Sequence, residues 1–144
     1  MKEEARKIRY KLLPHTADIC IEVSAASITG LFQNAAAAVL EQMVESGKTG
    51  DTVVRQISLQ ASGRDLLFIA WLQEILYEFY VHGLMYAGST IEHMRATGLK
   101  AAVMFRRFDP KQHTAKREIK AITYHNIHIR KTGSRYTVRF VADI

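Results

Sequence analysis

The sequence has little cysteine, little proline and no long apolar run, and these scarcities exclude several classes of protein. The single cysteine, Cys20, excludes an intramolecular disulfide. The longest apolar stretch, residues 66–76, is interrupted by Gln73 and Glu74 and falls well short of the roughly 20 residues of a membrane-spanning helix. The first 13 residues mix both charge signs and contain no apolar signal-peptide core. We therefore expect a cytoplasmic protein.

Short catalytic signatures are also missing. The sequence contains no glycine-rich phosphate loop, no HExxH, no GxSxG and no aromatic RNA-recognition signature. It therefore gives no support for an ordinary enzyme, and a metal-dependent hydrolase ranks last among the functions considered.

Positive charge is concentrated in the last third of the chain. Residues 1–94 contain 8 Lys and Arg against 11 Asp and Glu, a net −3, whereas residues 95–144 contain 12 against 3, a net +9, which together give the +6 of the whole chain. This asymmetry indicates a polyanionic partner, either nucleic acid or an acidic protein surface. The alternative is a solvated basic strand face that serves only solubility.

Hydrophobic periodicity predicts a single α+β domain over residues 1–144, with two long helices packed on one face of a mixed or antiparallel β-sheet. Residues 27–45 and 65–82 have helical spacing, and the aromatic residues of the second helix, Trp71 included, are assigned to core packing. The charged row of residues 51–60 indicates an edge strand. The predicted strands are residues 8–13, 18–24, 51–60, 84–97, 101–108, 121–130 and 135–142.

Two aspartates are the main candidates for chemistry. Asp18 and Asp143 each flank an apolar strand, and the α-carboxylate of Ile144 would add a third anionic group. Carboxylates at close range repel unless a cation neutralises them, and their oxygens suit Ca²⁺, Mg²⁺ or Mn²⁺. Alternatively, Asp18 caps a turn and Asp143 is simply exposed. Because the two lie 125 positions apart, spacing does not decide between these readings.

Histidine and lysine residues near the same elements are weaker candidates. His15, His125 and His128 are nearby, but a zinc site needs three or four converging ligands, and a partly buried structural role suits His125 better. Lys120 precedes a predicted strand and could hold a phosphate or an acidic partner residue as a point charge, although most single lysines do neither.

Five fragments taken together resemble the archease family: YKLLPHTADICIEV, LFQNAAAAVLEQM, DLLFIAWLQEILYEF, IKAITYHNIHI and the terminal VRFVADI. They run in order from about Tyr10 to Ile144. Two departures are the Ser24-Ala25-Ala26-Ser27 turn, where relatives usually have glycine, and Gln73, where they often have asparagine. Neither departure touches the candidate ligands.

The resemblance implies a small cytoplasmic accessory protein, not itself a catalyst, that activates the RtcB-type RNA ligase of tRNA splicing and RNA repair. It would promote guanylylation of the ligase and multiple turnover, with RNA contacted indirectly or weakly. The family's divalent cation, commonly calcium, would be bound here by Asp18, Asp143 and Ile144, and Lys120 would belong with Asp18 and Asp143 to the activating patch. His15 and His125 are candidates for contacts to these ligands. The alternative is a stand-alone RNA-binding protein, or a chaperone or modulator of tRNA-processing enzymes such as a methyltransferase.

Overall fold

The computed structural model describes residues 10–13, 18–45, 48–124 and 126–144. Within these ranges the chain forms two long helices and ten strands, four of which have only two or three residues. The helices are α1 (Ile28–Met43) and α2 (Arg64–His82). The strands are β1 (Tyr10–Leu13), β2 (Ile19–Ala25), β3 (Val44–Glu45), β4 (Thr52–Gln60), β5 (Leu84–Arg95), β6 (Gly98–Arg107), β7 (Thr114–Ala115), β8 (Ala121–Ile122), β9 (Arg130–Thr132) and β10 (Arg135–Asp143).

The strands form separate antiparallel sheets that share the two helices. One sheet has the order β1-β2-β10-β8, with β9 also paired to β10; a second has the order β4-β6-β5; β3 and β7 form a small third pair. Each helix contacts strands of both larger sheets. The predicted α+β architecture, with two helices against antiparallel strands, is confirmed. The edge position predicted for residues 51–60 is also confirmed, because β4 is the outer strand of its sheet.

Local signals in the sequence set the limits of both helices. Ser27 is the N-cap of α1, where its hydroxyl accepts a hydrogen bond of 3.0 Å from the amide of Gly30. Gly83 ends α2 in the left-handed conformation at φ 66°, which glycine adopts without steric cost, and its amide donates back to the carbonyl of Phe79. Among the described residues, neither helix is long and apolar enough to cross a membrane.

A chain of aromatic rings connects the two larger sheets through the helices. Phe68 of α2 lies edge-on to Phe32 of α1 at 5.2 Å and to Phe140 of β10 at 5.4 Å. Trp71 is fully buried, packs against Tyr86 of β5, and donates its indole hydrogen to the carbonyl of Phe32 at 2.8 Å. The assignment of Trp71 to the core is therefore confirmed.

The prediction of one continuous strand over residues 121–130 is wrong. β8 ends at Ile122, apart from one further bond from the amide of Thr123 to the carbonyl of Val141, and β9 begins at Arg130. Asn126, between the two strands, has a φ of +55°. That left-handed conformation interrupts an extended strand, and asparagine is among the residues that tolerate it.

The polar segment 109–118 is not wholly exposed. His113 is buried, its Nδ1 accepts from the amide of Asp109 at 2.9 Å, and its Nε2 lies 2.8 Å from the carbonyl oxygen of Thr49. Because Nδ1 is an acceptor, Nε2 carries the hydrogen and donates it to Thr49. This histidine therefore fastens the segment to the turn that precedes β4.

Candidate functional site

Strand register brings Asp18 and Asp143 together at one end of the larger sheet. β2 and β10 are antiparallel neighbours, with Ile19 opposite Ala142. The next residue outward on each strand is Asp18 and Asp143, respectively. Ile19 and Ala142 are buried, so alternation places both aspartates on the other, solvent-facing side of the sheet. Cross-strand neighbours on one face lie about 5 Å apart, close enough for their carboxylates to interact.

Lys120 is attached to the same sheet end through its backbone. Asp143 is paired with Ala121 of β8, and the amide of Lys120 donates to the carbonyl of Asp143 at 2.7 Å. Lys120 lies immediately before β8, and its side chain lines a cavity against α2. The structure thus places Asp18, Asp143 and Lys120 at one sheet end, with the two aspartates on the solvent-facing side and Lys120 beside α2.

Further along the solvent-facing side, β1, β2 and β10 carry an ion-pair network. Arg139 Nε lies 2.7 Å from Glu22 Oε2, and Lys11 Nζ lies 3.1 Å from Glu22 Oε1. The hydrogen bond from Arg139 lowers the pKa of the Glu22 carboxyl, with a further contribution from Lys11. Glu22 is therefore compensated by two cations on the strands that flank it.

The carboxylate oxygens at the sheet end are ligands of the kind that a hard cation prefers, although the side chains there provide few of them. Within the described ranges 10–13, 18–45, 48–124 and 126–144, no group of three His, Cys, Asp or Glu side chains is placed to hold a metal ion. Calcium takes six to eight oxygen ligands, which include main-chain carbonyls and water. A cation held by Asp18 and Asp143 would therefore need main-chain oxygens as well, and exposed Ile144 is the next residue along the chain.

Only one of the three candidate histidines, His128, lies within the described residues. His15 and His125 lie outside the described residues. His128 is placed at the start of α2, where its Nδ1 lies 3.4 Å from Asp65 Oδ2, while Asp65 Oδ1 accepts from the amide of Ile129 at 3.0 Å. Asp65 therefore ties the segment around residue 128 to the helix.

On the helix side, Lys120 lines a cavity of about 630 Å³ against α2. We call it the tyrosine pocket and define it by Glu74, Tyr77, Tyr80, Val81, Lys120 and Tyr124. The hydroxyl of Tyr80 accepts a hydrogen bond of 2.9 Å from the amide of Ile119. Burial, and then the neighbouring carboxyl of Glu78, raise the pKa of Glu74.

Sequence reasoning missed the tyrosine pocket because it assigned the aromatic residues of α2 to the core. Tyr77 and Tyr80 are instead about half exposed. The available signal was a second row at helical spacing beside the core stripe, in which Tyr77 follows Gln73 by four residues and Tyr80 and Val81 follow Tyr77 by three and four.

Two helices on antiparallel sheets, with paired aspartates where two strands end, define a small α+β protein with a candidate cation site. The chain belongs to the archease family, because the model of the Archease protein family (MTH1598/TM1083) matches residues 10–144. It is 29% identical over 140 residues to the archease of Methanosarcina acetivorans, covering 94% of this chain and 96% of that protein. It is 31% identical over 139 residues to the archease of Archaeoglobus fulgidus, covering 95% and 100%.

Solved structures share the fold. A solution structure of Methanobacterium thermoautotrophicum protein 1598 superposes with a TM-score of 0.79 over 96% of this chain and all of that one, at 20% identity. A Thermotoga maritima crystal structure, described as an archease and possible chaperone, has a TM-score of 0.67 and 26% identity over 93% of this chain and 96% of that one. The likeness to the first, at its low identity, concerns the fold alone.

Proposed function

We propose that this protein activates an RtcB-type RNA ligase, promoting guanylylation of the ligase and its multiple turnover without catalysing the joining itself. The proposal starts from membership of the archease family. The observation that carries it to particular residues is the β2–β10 register, which places Asp18 beside Asp143 although 125 positions separate them.

The same register supports a divalent-cation site, most simply for Ca²⁺, with Mg²⁺ and Mn²⁺ as the other hard ions. Asp18 and Asp143 would hold it through their carboxylates and Ile144 through main-chain oxygen. A bound cation would offset the repulsion between the two carboxylates and so fix the end of β10. The sheet end that carries Asp18 and Asp143 would then be rigid where it meets the ligase, with Lys120 beside it against α2.

A second candidate function, binding of RNA by the protein alone, is favoured by the net +9 charge of residues 95–144. It predicts tight RNA binding with a steep loss of affinity on adding salt, because each neutralised phosphate releases counterions. An activator instead shows weak RNA binding and faster formation of guanylylated ligase. A gel-shift titration beside a guanylylation time course separates the two functions.

The activator function is tested by following ligase guanylylation with GTP in the presence of the wild-type protein and of Asp18→Asn or Asp143→Asn. Each variant should reduce the stimulated rate by about tenfold or more, the scale of a lost charge-assisted interaction of about 1.4 kcal/mol or more. Asp51→Asn is the matched control, because Asp51 is an exposed aspartate that precedes β4 in the other sheet. Full stimulation by both site variants would refute the assignment, and no stimulation by the wild type would refute the function.

A further inference from the structure

We infer that the tyrosine pocket docks a protein segment that presents a carboxylate next to an apolar side chain. This inference rests on the proposed function, because that function makes the ligase the protein to which the segment belongs. The pocket would then provide affinity for the ligase, while Asp18 and Asp143 act on it.

Exposed aromatic side chains are concentrated at this pocket. In the part of the chain that the structure describes, the large hydrophobic residues with high exposure include three aromatics: Tyr77 at 50%, Tyr80 at 45% and Tyr124 at 63%. All three line the pocket, together with exposed Val81. Grouped exposed apolar surface marks an interaction site, and tyrosine is enriched among the residues that dominate binding energy at protein interfaces.

The charge of the pocket favours a protein over a nucleic acid. Among its described lining residues the only basic side chain is Lys120, and the only acidic one is Glu74 on α2. Nucleic-acid binding draws its affinity from several phosphate contacts, which one lysine does not supply. One exposed ammonium group suits one carboxylate, and the adjoining surface of Val81 and tyrosine rings suits an apolar side chain next to it.

The location of the pocket makes it continuous with the paired aspartates. The amide of Lys120 is bonded to the carbonyl of Asp143, so a segment docked on the helix side reaches the sheet end that carries Asp18 and Asp143. The tyrosines belong to the docking pocket alone and the two aspartates to the activating patch alone, whereas Lys120 belongs to both. Substitutions of the tyrosines can therefore separate docking from activation.

The test uses the full chain titrated into the ligase, with binding followed by fluorescence anisotropy and guanylylation measured in parallel. Tyr77→Ala combined with Tyr124→Ala should weaken binding and raise the concentration for half-maximal stimulation by about tenfold or more, the effect expected for a residue that dominates an interface. The stimulated rate at saturation should stay unchanged. Lys120→Ala should reduce the salt dependence of association.

Leu66→Ala is the matched control, because Leu66 is an exposed apolar residue of the same helix that does not line the pocket. Circular dichroism of the tyrosine variant checks folding, which both substitutions should preserve because the two rings are at least half exposed. Unchanged affinity of the tyrosine variant overturns the inference, as does a wild-type protein that fails to bind the ligase. Loss of single-stranded RNA binding with unchanged ligase affinity also overturns it. Binding that depends on the tyrosines without any stimulation supports the docking surface and refutes the proposed function.

Discussion

Replacing Asp143 with asparagine should change the stability of this protein in opposite directions with and without a divalent cation. Asp18 and Asp143 are neighbours at the ends of β2 and β10, and we expect their carboxylates to repel when no cation is bound. Like charges on neighbouring strands are destabilising on the scale of other cross-strand pairs, up to about 1 kcal/mol. In a chelator, Asp143→Asn should therefore be slightly more stable than the wild type.

A bound cation reverses the order. A ligand at 100 times its dissociation constant stabilises the folded state by about 2.7 kcal/mol, and the variant loses most of that gain together with a ligand oxygen. An unfolding entropy of about 2.1 cal/mol/K per residue gives about 0.3 kcal/mol/K for this chain of 144 residues. The variant should thus melt up to about 3 °C above the wild type in chelator and several degrees below it in saturating cation, where the wild type itself gains about 9 °C.

Differential scanning calorimetry in chelator and then in Ca²⁺, Mg²⁺ or Mn²⁺ measures both differences. Asp51→Asn should follow the wild type under all conditions, because Asp51 lies in the other half of the fold at the start of β4. If none of the three ions raises the melting temperature of the wild type, or if Asp143→Asn gains as much as the wild type does, the reasoning from paired carboxylates is refuted.

Three further substitutions test the packing around the site. Trp71→Phe should lower the free energy of unfolding by about 2 kcal/mol in urea, because it removes the hydrogen bond from the indole to the carbonyl of Phe32 and leaves a void in the core. An unchanged free energy of unfolding would contradict the role of Trp71 in the core. The pKa of Glu74 is raised in the folded state, so its contribution to stability is present below its ordinary pKa and is lost as pH rises through the raised pKa. Glu74→Gln should therefore remove the fall in stability that occurs as pH rises through the raised pKa of Glu74, and the variant should exceed the wild type above that pKa. Parallel profiles of the two proteins would exclude a raised pKa of Glu74 next to Glu78. Gly83→Ala should cost about 1 kcal/mol because its φ of 66° suits only glycine without strain, and an unchanged melting temperature would show that the chain relaxes there.

Local patterns were enough to predict the helices and much of the strand content. Ser27 and Gly83 are short-range signals, and the predicted ends of both helices lie within two residues of the observed ones. The prediction of one strand over residues 121–130 was wrong for a local reason. Alternation of apolar and polar residues does not reveal that Asn126 takes a left-handed conformation. His113 was missed because its burial depends on the distant carbonyl of Thr49.

The amino-acid sequence by itself determined the residue types that can act at this site, two aspartates and a lysine next to strands, together with the family to which the chain belongs. Only the tertiary structure decided which of them meet and on which side. The pairing of β2 with β10 is a contact between distant segments, and a shift of one residue in that register would move Asp143 to the opposite face. Lys120 lies beside α2 and lines one cavity with exposed tyrosines, a neighbourhood that arises from packing between elements and not from spacing along the chain.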